Sequence, residues 1–207
     1  MNISTPTRTQ RKAEATRLAI IHTAEALILE EGLSALTLEA VAERADIAVQ
    51  TIYNRVGGRS ALLLAVTEKA MEENRVYMER AYAAAGTPLE RIRVAAMGYI
   101  RFAKERPNEF RLMASPPDTP EAQTRISSMV KKHNAQLEAA LRDGIADGSI
   151  DPAIDPYLVA TAMWAAMNGM LSLAWRADSA AVPSDVMDQL LAQSMELTFK
   201  GLTAHLR

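Results

Sequence analysis

Cysteine is absent from the chain, so neither a disulfide nor a thiolate metal site is possible. The absence agrees with a reducing compartment, and the N-terminus has no apolar segment of the kind that a secretory signal needs. We therefore expect a cytoplasmic protein. A strong excess of one charge is also missing, because the formal net charge is −2 at pH 7. Any attraction to nucleic acid must come from a local patch.

Several sequence patterns that would indicate a membrane protein or an enzyme are missing. No uninterrupted apolar run reaches the roughly 18 residues of a membrane span, so we expect no membrane partner. Glycine-rich phosphate loops, zinc-protease motifs and nucleophile elbows do not occur. The histidines His22, His133 and His205 lie far apart and match no metal spacing, and His133 is expected on an exposed face beside two lysines. We predict no enzymatic activity, no cofactor and no metal.

The chain has the apolar content and periodicity of an all-α protein. Hydrophobic residues make up 49% of it, enough for a substantial core, and no alternating run rich in β-branched residues indicates a strand. Capping patterns precede several helical segments, at Thr37, Thr87, Asp155 and Ser184. We predict about nine helices.

Three segments follow from these patterns. Residues 1–10 are polar and are expected to form a disordered basic arm, which either reaches DNA or is simply a solvated tail. Residues 11–57 are predicted to form a helix-turn-helix domain whose first helix spans Arg11–Glu31. Residues 58–207 are predicted to form a larger helical domain for ligand binding and dimerisation.

The segment Thr37–Arg59 has the pattern of two short helices joined by a tight turn. Leu38, Val41 and Ala42 share one apolar face, and Asp46 interrupts the run with a residue that tolerates the left-handed backbone region. In a helix-turn-helix the second helix enters the major groove of DNA. The alternative is a helical hairpin that only completes an all-α core. The candidate DNA-binding residues are Thr37, Ala48, Val49, Gln50, Thr51, Tyr53, Asn54 and Arg59.

The run from Arg17 to Leu62 resembles, without gaps, the N-terminal domain of TetR-family transcriptional regulators. Apolar, capping and hydroxyl-bearing positions all keep the family's register. The matching residues are Arg17, Ile20-Ile21, Thr23-Ala24, Leu27-Ile28, Gly32, Thr37, Val41-Ala42, Ala45–Ala48, Thr51–Tyr53 and Arg59.

This chain departs from the family pattern at the turn and beyond the second helix. Asp46 replaces the turn glycine, which predicts some backbone strain. Ala48 replaces the serine that caps the second helix and so removes one hydrogen bond. Arg55-Val56 replaces His-Phe, and Gly57-Gly58 loosens the entry to the next helix.

The second half resembles one TetR-family C-terminal subtype. The local matches are Phe110–Met113, the Gly144–Gly148 connection, Asp155-Pro156, and Trp164 followed by Asn168-Gly169, where Asn stands in place of the family's His. The resemblance implies a repressor released by a small apolar effector that binds between the middle helices. Ordinary core filling is the alternative for each pocket residue. The candidates are Met97, Tyr99, Ile100, Phe110, Met113, Met129, Met163, Trp164, Met167 and Asn168.

Two late helices carry small residues among large apolar ones, which favours close packing against other helices. Two such helices from each of two chains can form a four-helix interface, although both can also complete a monomer core. A helix-turn-helix protein that reads a palindromic operator needs two heads about 34–36 Å apart, which favours the homodimer. The candidate interface residues are Ala165, Gly169, Ser172, Leu190, Leu191, Ser194, Leu197, Thr198 and Gly201.

Overall fold

The structure is a computed structural model that describes residues 7–114, 119–176 and 181–203. Within those ranges it contains nine α-helices and no strand, which confirms the predicted fold class. Short 3₁₀ turns follow α1 and α8, at Leu33–Ala35 and Leu173–Trp175. The helices are α1 (Arg8–Glu31), α2 (Leu38–Arg44), α3 (Val49–Arg55), α4 (Arg59–Tyr82), α5 (Pro88–Glu105), α6 (Pro107–Ala114), α7 (Pro120–Ala146), α8 (Pro156–Ser172) and α9 (Ser184–Leu202).

Side-chain caps begin three of these helices where the sequence predicts them. The Thr37 hydroxyl accepts a hydrogen bond from the Ala40 amide at 3.1 Å. At the start of α5, the Thr87 amide donates to the Glu90 carboxylate at 2.7 Å, and the Glu90 amide donates back to the Thr87 hydroxyl. Asp155 accepts from two amides of the first turn of α8. These bonds satisfy donors that a helix start otherwise leaves free.

Two predicted helix boundaries are wrong. The first helix begins at Arg8 rather than Arg11, because Thr7 and Gln10 form a reciprocal capping box that the sequence analysis overlooked. Residues 8–10 are therefore helical and not part of a disordered arm, while residues 1–6 lie outside the described residues. Ser184 does not cap α9, since the N-cap position belongs to Pro183 and makes no side-chain hydrogen bond.

The chain divides into two compact units. The first consists of the described residues of Met1–Met71 and Arg106–Gln123. Its core contains apolar residues of α1, α2, α3, α4 and α6, all of them buried. These bounds differ from the predicted division at residue 57, because the first half of α4 and all of α6 pack with the N-terminal helices. Its central side chains are Ile20, Leu27, Ile28, Val41, Ile52, Leu62 and Leu112.

The second unit consists of Glu72–Glu105 and the described residues of Thr124–Arg207. Buried residues of α5, α7, α8 and α9 form its main cluster, with Leu141 and Ile150 fully enclosed. The Arg93 guanidinium lies 4.2 Å from the centroid of the Phe199 ring, a cation–π contact. This unit contains the cavity described below.

Candidate DNA-binding and ligand-binding sites

Helix α3 presents three polar side chains on one exposed face. Gln50, Tyr53 and Asn54 stand at i, i+3 and i+4, and all three are exposed, Tyr53 by 52% of its surface. Ile52 on the opposite face is fully buried in the core of the first unit. Val49 also packs against this core, and these apolar contacts fix which side of the short helix faces outward.

The turn before α3 is closed by backbone hydrogen bonds. The Ile47 amide donates to the Ala42 carbonyl at 3.0 Å, and the Asp46 amide donates to the Glu43 carbonyl at 3.2 Å. Asp46 has a φ of 52°, the left-handed conformation that the sequence analysis expects there. Ala48 occupies the N-cap of α3 and provides no side-chain bond, as its methyl group predicts.

The other predicted DNA-binding residues differ in how available they are. Thr37 is exposed but its hydroxyl caps α2, and Val49 packs against the core. Thr51 is half-buried. The Arg59 Nε–H donates to the Leu36 carbonyl at 2.8 Å, so this side chain is held in place by the protein itself. Their contacts with DNA remain predictions.

Helix α3 also carries one cation that the list of candidate residues omits. Arg55 is exposed and follows directly after Asn54. The signal was present, since arginine stands there in place of the family's histidine. A guanidinium at this position can bind a phosphate oxygen through several donors.

A cavity in the second unit has a mostly apolar wall. Its volume is about 100 Å³. Side chains from α4, α5, α7, α8 and α9 form the wall, including Met78, Met163, Trp164 and Met167. Methionine adapts to irregular shapes, so this wall suits a small apolar molecule.

The structure brings only part of the predicted ligand set to this cavity. Tyr99, Met163, Trp164 and Met167 belong to the wall. Met97 and Ile100 border a separate surface groove, and Met97 is 58% exposed. The wall does not include Met129 among the described residues, and Phe110 and Met113 belong to the first unit. The other candidates lie elsewhere because spacing along one helix does not say which helix packs against which, and binding of a ligand by any of these residues stays a prediction.

Asn168 has its partners within the protein. The Tyr99 hydroxyl donates to Asn168 Oδ1 at 3.2 Å, and Asn168 Nδ2 donates to the Trp164 carbonyl at 2.8 Å. Burial raises the pKa of Tyr99 to about 12, against the opposing effect of the Asn168 hydrogen bond, so the phenol stays protonated. The oxygen and the nitrogen of the Asn168 amide are therefore both hydrogen-bonded within the protein, and Asn168 does not line the cavity.

Several polar residues line the cavity without having been predicted to bind a ligand, and Asn74 and His133 are two of them. Asn74 is completely buried, and neither its Nδ2 nor its Oδ1 has a hydrogen-bond partner among the described residues. His133 is half-buried and lines the cavity, so its predicted place on an exposed face is wrong. Burial lowers its pKa, and Arg75 lowers it further, so the imidazole is neutral at pH 7. Spacing could have found Asn74, since Ala70, Met71 and Met78 share its face of α4.

Helices α8 and α9 each leave an apolar or small-residue face exposed. On α8 this face contains Leu158, Ala162, Ala165 and Gly169, and Leu158 is 61% exposed. On α9 it contains Val186 and Leu197, which are 47% and 62% exposed, together with half-buried Leu190 and exposed Gly201. We name these two faces the α8–α9 surface.

Three predicted interface residues, Leu191, Ser194 and Thr198, lie outside this surface. Leu191 is only 2% exposed, because it lies on the inward face of α9. Ser194 and Thr198 line the cavity instead. Ser172 is half-buried, and its hydroxyl donates to the Gly169 carbonyl at 2.7 Å.

The segment Pro156–Trp175 is long and apolar enough to cross a membrane by length and composition alone. Its most apolar stretch has a mean hydropathy of 1.3, and 11% of that stretch is buried within the protein. This differs from the expectation that no apolar run reaches the length of a membrane span, since the stretch contains polar Asn168 and Ser172 but no charged residue. An apolar helix that remains so exposed within its own chain is expected to be buried against another molecule.

Comparison with known families matches both parts of the chain. A family described as bacterial regulatory proteins of the tetR family matches residues 20–66. A second, described as the tetracyclin repressor-like C-terminal domain, matches residues 92–197, which is just over half of the chain. The chain belongs to the TetR family. It is therefore a bacterial transcriptional regulator with a helix-turn-helix domain, as its sequence indicated.

Solved structures of similar fold include other members of this family. A TetR/AcrR-family transcriptional regulator from Thermobifida fusca is 21% identical, with a TM-score of 0.73 over 90% of this chain and 98% of that one. FadR from Bacillus subtilis in complex with stearoyl-CoA is 18% identical, with a TM-score of 0.69 over 90% of this chain and 97% of that one. AibR in complex with isovaleryl coenzyme A and operator DNA is 19% identical, with a TM-score of 0.64 over 86% and 97%. No curated protein sequence gives a significant match to this TetR-family regulator.

Proposed function

We propose that this regulator is a repressor that binds a near-palindromic operator as a homodimer and releases it when a small apolar molecule occupies the cavity. The observation that supports it best is the exposed face of α3 with Gln50, Tyr53 and Asn54, held outward by buried Ile52. A regulator of this kind acts where bacterial DNA is, in the cytoplasm.

The side chains of α3 suit the two kinds of DNA contact. The amides of Gln50 and Asn54 can each pair with the donor and acceptor of an adenine edge in the major groove. They hydrogen-bond to each other at 3.2 Å in the free protein, and this bond must open or reorient for both to reach bases. The Tyr53 hydroxyl and the Arg55 and Arg59 guanidinium groups can bind phosphates, which orients the helix without reading sequence.

The α8–α9 surface supports the homodimer. Its residues recur at helical spacing on both helices, and small side chains such as Ala165 and Gly169 allow a second helix to approach closely. A second copy would cover the exposed Leu158 and Leu197 and supply the second DNA-reading head. A lipid bilayer is the alternative environment that could bury the exposed face of α8, and the sedimentation experiment below distinguishes it from a second copy of the chain.

The cavity supports control by a small molecule. FadR binds stearoyl-CoA and AibR binds isovaleryl coenzyme A and operator DNA, so proteins of this fold combine both kinds of binding. A ligand can weaken DNA binding only if it binds more tightly to the conformation that fits the operator poorly. We therefore propose an effector that binds more tightly to the conformation that fits the operator poorly than to the conformation that fits it well.

The operator hypothesis is tested by selecting bound fragments from genomic DNA and measuring gel shifts at several salt concentrations. Gln50→Ala should relax base preference at one position, by about 1–3 kcal/mol. Tyr53→Phe and Arg59→Ala should weaken binding to all sequences alike. Gln123→Ala, which removes an exposed glutamine from α7, serves as the matched control. Unchanged footprints in all three test variants would overturn the assignment.

The dimer is tested by sedimentation of Leu158→Asp and Leu197→Asp variants without detergent. Charges in a buried interface should convert the dimer to monomer and abolish binding to a palindromic site. Leu29→Asp, at a 40% exposed residue of α1, should leave the dimer intact. A wild-type protein that stays monomeric, or that sediments with vesicles, would rule out this arrangement.

A second candidate is a ligand-binding protein of the same fold that does not read an operator. Two features of α3 favour it. Ala48 supplies no side-chain cap, and the amides of Gln50 and Asn54 hydrogen-bond to each other rather than standing free for contacts with bases. It predicts no salt-dependent gel shift, since only phosphate binding releases counterions.

A further inference from the structure

The cavity wall contains a polar group whose hydrogen-bonding capacity is entirely unused. Asn74 is 0% exposed, yet its Nδ2 and Oδ1 both lack partners among the described residues. A buried amide of this kind is destabilising unless it is paired, and native proteins pair nearly all such groups. Asn74 lies between apolar positions of α4, so core packing does not require an amide there.

Charged side chains are missing from the wall. Among the described residues that line the cavity, none is Lys, Arg, Asp or Glu. The one ionisable group with an ordinary pKa near neutrality is His133, and it is held neutral by burial. An ionised ligand would lose its hydration here without gaining an opposite charge, which is strongly unfavourable.

We propose that the cavity selects an uncharged, mostly apolar ligand with one group that both donates and accepts a hydrogen bond, and that this group pairs with Asn74. The inference rests on the proposed ligand-responsive function and names the chemistry of the ligand. A primary amide is the simplest match, because its N–H donates to Asn74 Oδ1 while its carbonyl accepts from Asn74 Nδ2.

The size of the cavity limits the rest of the ligand. A volume of about 100 Å³ corresponds to about three water molecules at about 30 Å³ each in the liquid, so it holds the amide group and the first few carbons of a chain. Met163, Met167 and Trp164 supply the apolar wall against which such a body packs. Octanamide is a suitable probe, and octanoate is its anionic counterpart of nearly the same shape.

Trp164 provides a direct optical readout. The chain has two tryptophans, so Trp175→Phe leaves Trp164 in the cavity wall as the single reporter. In this background at pH 7.5, octanamide should change the fluorescence with a Kd at least tenfold lower than that of octanoate. Equal affinity for the two probes, or no response to octanamide up to its solubility limit, would overturn the proposal.

Variants at the wall identify the group that pairs with the probe. Asn74→Leu keeps a similar volume and removes both hydrogen-bonding atoms, so it should weaken octanamide binding about tenfold while raising the thermal midpoint of the free protein. Asn74→Ala should weaken binding similarly and serves if leucine disturbs the fold. Gln193→Leu, which removes an exposed amide of α9 outside the cavity wall, is the matched control and should leave binding unchanged. Unaltered octanamide affinity in both Asn74 variants would refute the pairing.

These measurements use the free protein and no DNA, so the two proposals can fail separately. Discrimination between the probes without operator binding would support the ligand chemistry and remove the regulatory role. Operator binding without discrimination would leave the regulator intact and overturn the ligand assignment.

Discussion

Removing the guanidinium of Arg106 should expose how much the first unit depends on a buried ionic cluster. Arg106 Nε donates to Glu109 Oε1 at 2.6 Å, and the Glu109 side chain is only 1% exposed. Arg106 also lies 3.4 Å from Glu25, which in turn pairs with Lys69 at 2.7 Å. Arg106→Met keeps much of the apolar stem and leaves Glu109 without its cation.

The expected loss follows from the burial of the carboxylate. Breaking a buried pair costs about 3–5 kcal/mol, because the remaining charge stays desolvated. The Arg106 side chain is itself 34% exposed, so water screens part of the interaction and we take the lower bound, about 3 kcal/mol. For a chain of this length, that corresponds to a fall in Tm of about 6–12 °C.

A matched substitution in the preceding helix isolates the effect of burial. Arg101 pairs with Glu105 at 2.7 Å, but these side chains are 71% and 44% exposed. Arg101→Met should cost only about 0.3–0.5 kcal/mol, the usual value for an exposed helical pair. The two variants remove the same group from ion pairs of similar spacing.

Urea unfolding followed by far-UV circular dichroism at pH 7.5 measures both variants without DNA or ligand. Glu109→Gln in the Arg106→Met background should recover part of the loss, because an amide is easier to bury than an unpaired carboxylate. The reasoning fails if Arg106→Met costs less than about 1 kcal/mol, well below the expected range. It also fails if Glu109→Gln gives no recovery.

Three further predictions concern the helix caps, the cavity and the C-terminal end of α7. Ala48→Ser should stabilise the protein by about 1 kcal/mol in urea unfolding by supplying the missing cap, and Thr37→Ala should destabilise it by a similar amount; no change in either would contradict the capping argument. Because the folded pKa of His133 is lowered, the unfolded chain gains its proton first as the pH falls below the ordinary value of 6.5, so stability should decline from about pH 7.5 to 5.5. His133→Asn should flatten that decline in thermal scans, and an unaltered pH profile would show that the imidazole does not titrate differently on unfolding. Gly144→Ala should cost about 1–3 kcal/mol in thermal unfolding, because an added Cβ would lie 2.5 Å from Ile150 Cδ1; Ile150→Val removes that atom and should recover part of the loss, and a Gly144→Ala protein as stable as wild type would refute the close contact.

Local sequence information determined where several of the helices begin and which face of α3 is exposed. Caps such as Thr37, Thr87 and Asp155 depend on bonds between residues two or three apart, so the pattern contains nearly everything needed to place them. The outward direction of Gln50 and Tyr53 likewise follows from the helical period and from one apolar neighbour, Ile52. The capping box at Thr7 was equally readable and was missed.

Only the tertiary structure decided which helices share a core and which side chains meet in the cavity. The sequence does not show that α6 packs with the N-terminal helices, which places Phe110 and Met113 in the first unit and away from the cavity wall. Nor does it show that Tyr99 satisfies Asn168, or that Asn74 is left unpaired. Contacts between residues about 70 positions apart depend on how whole helices pack, and many sequences with the same periodicity allow several packings. Periodicity alone therefore defines the faces of the helices, and packing selects the partners of those faces.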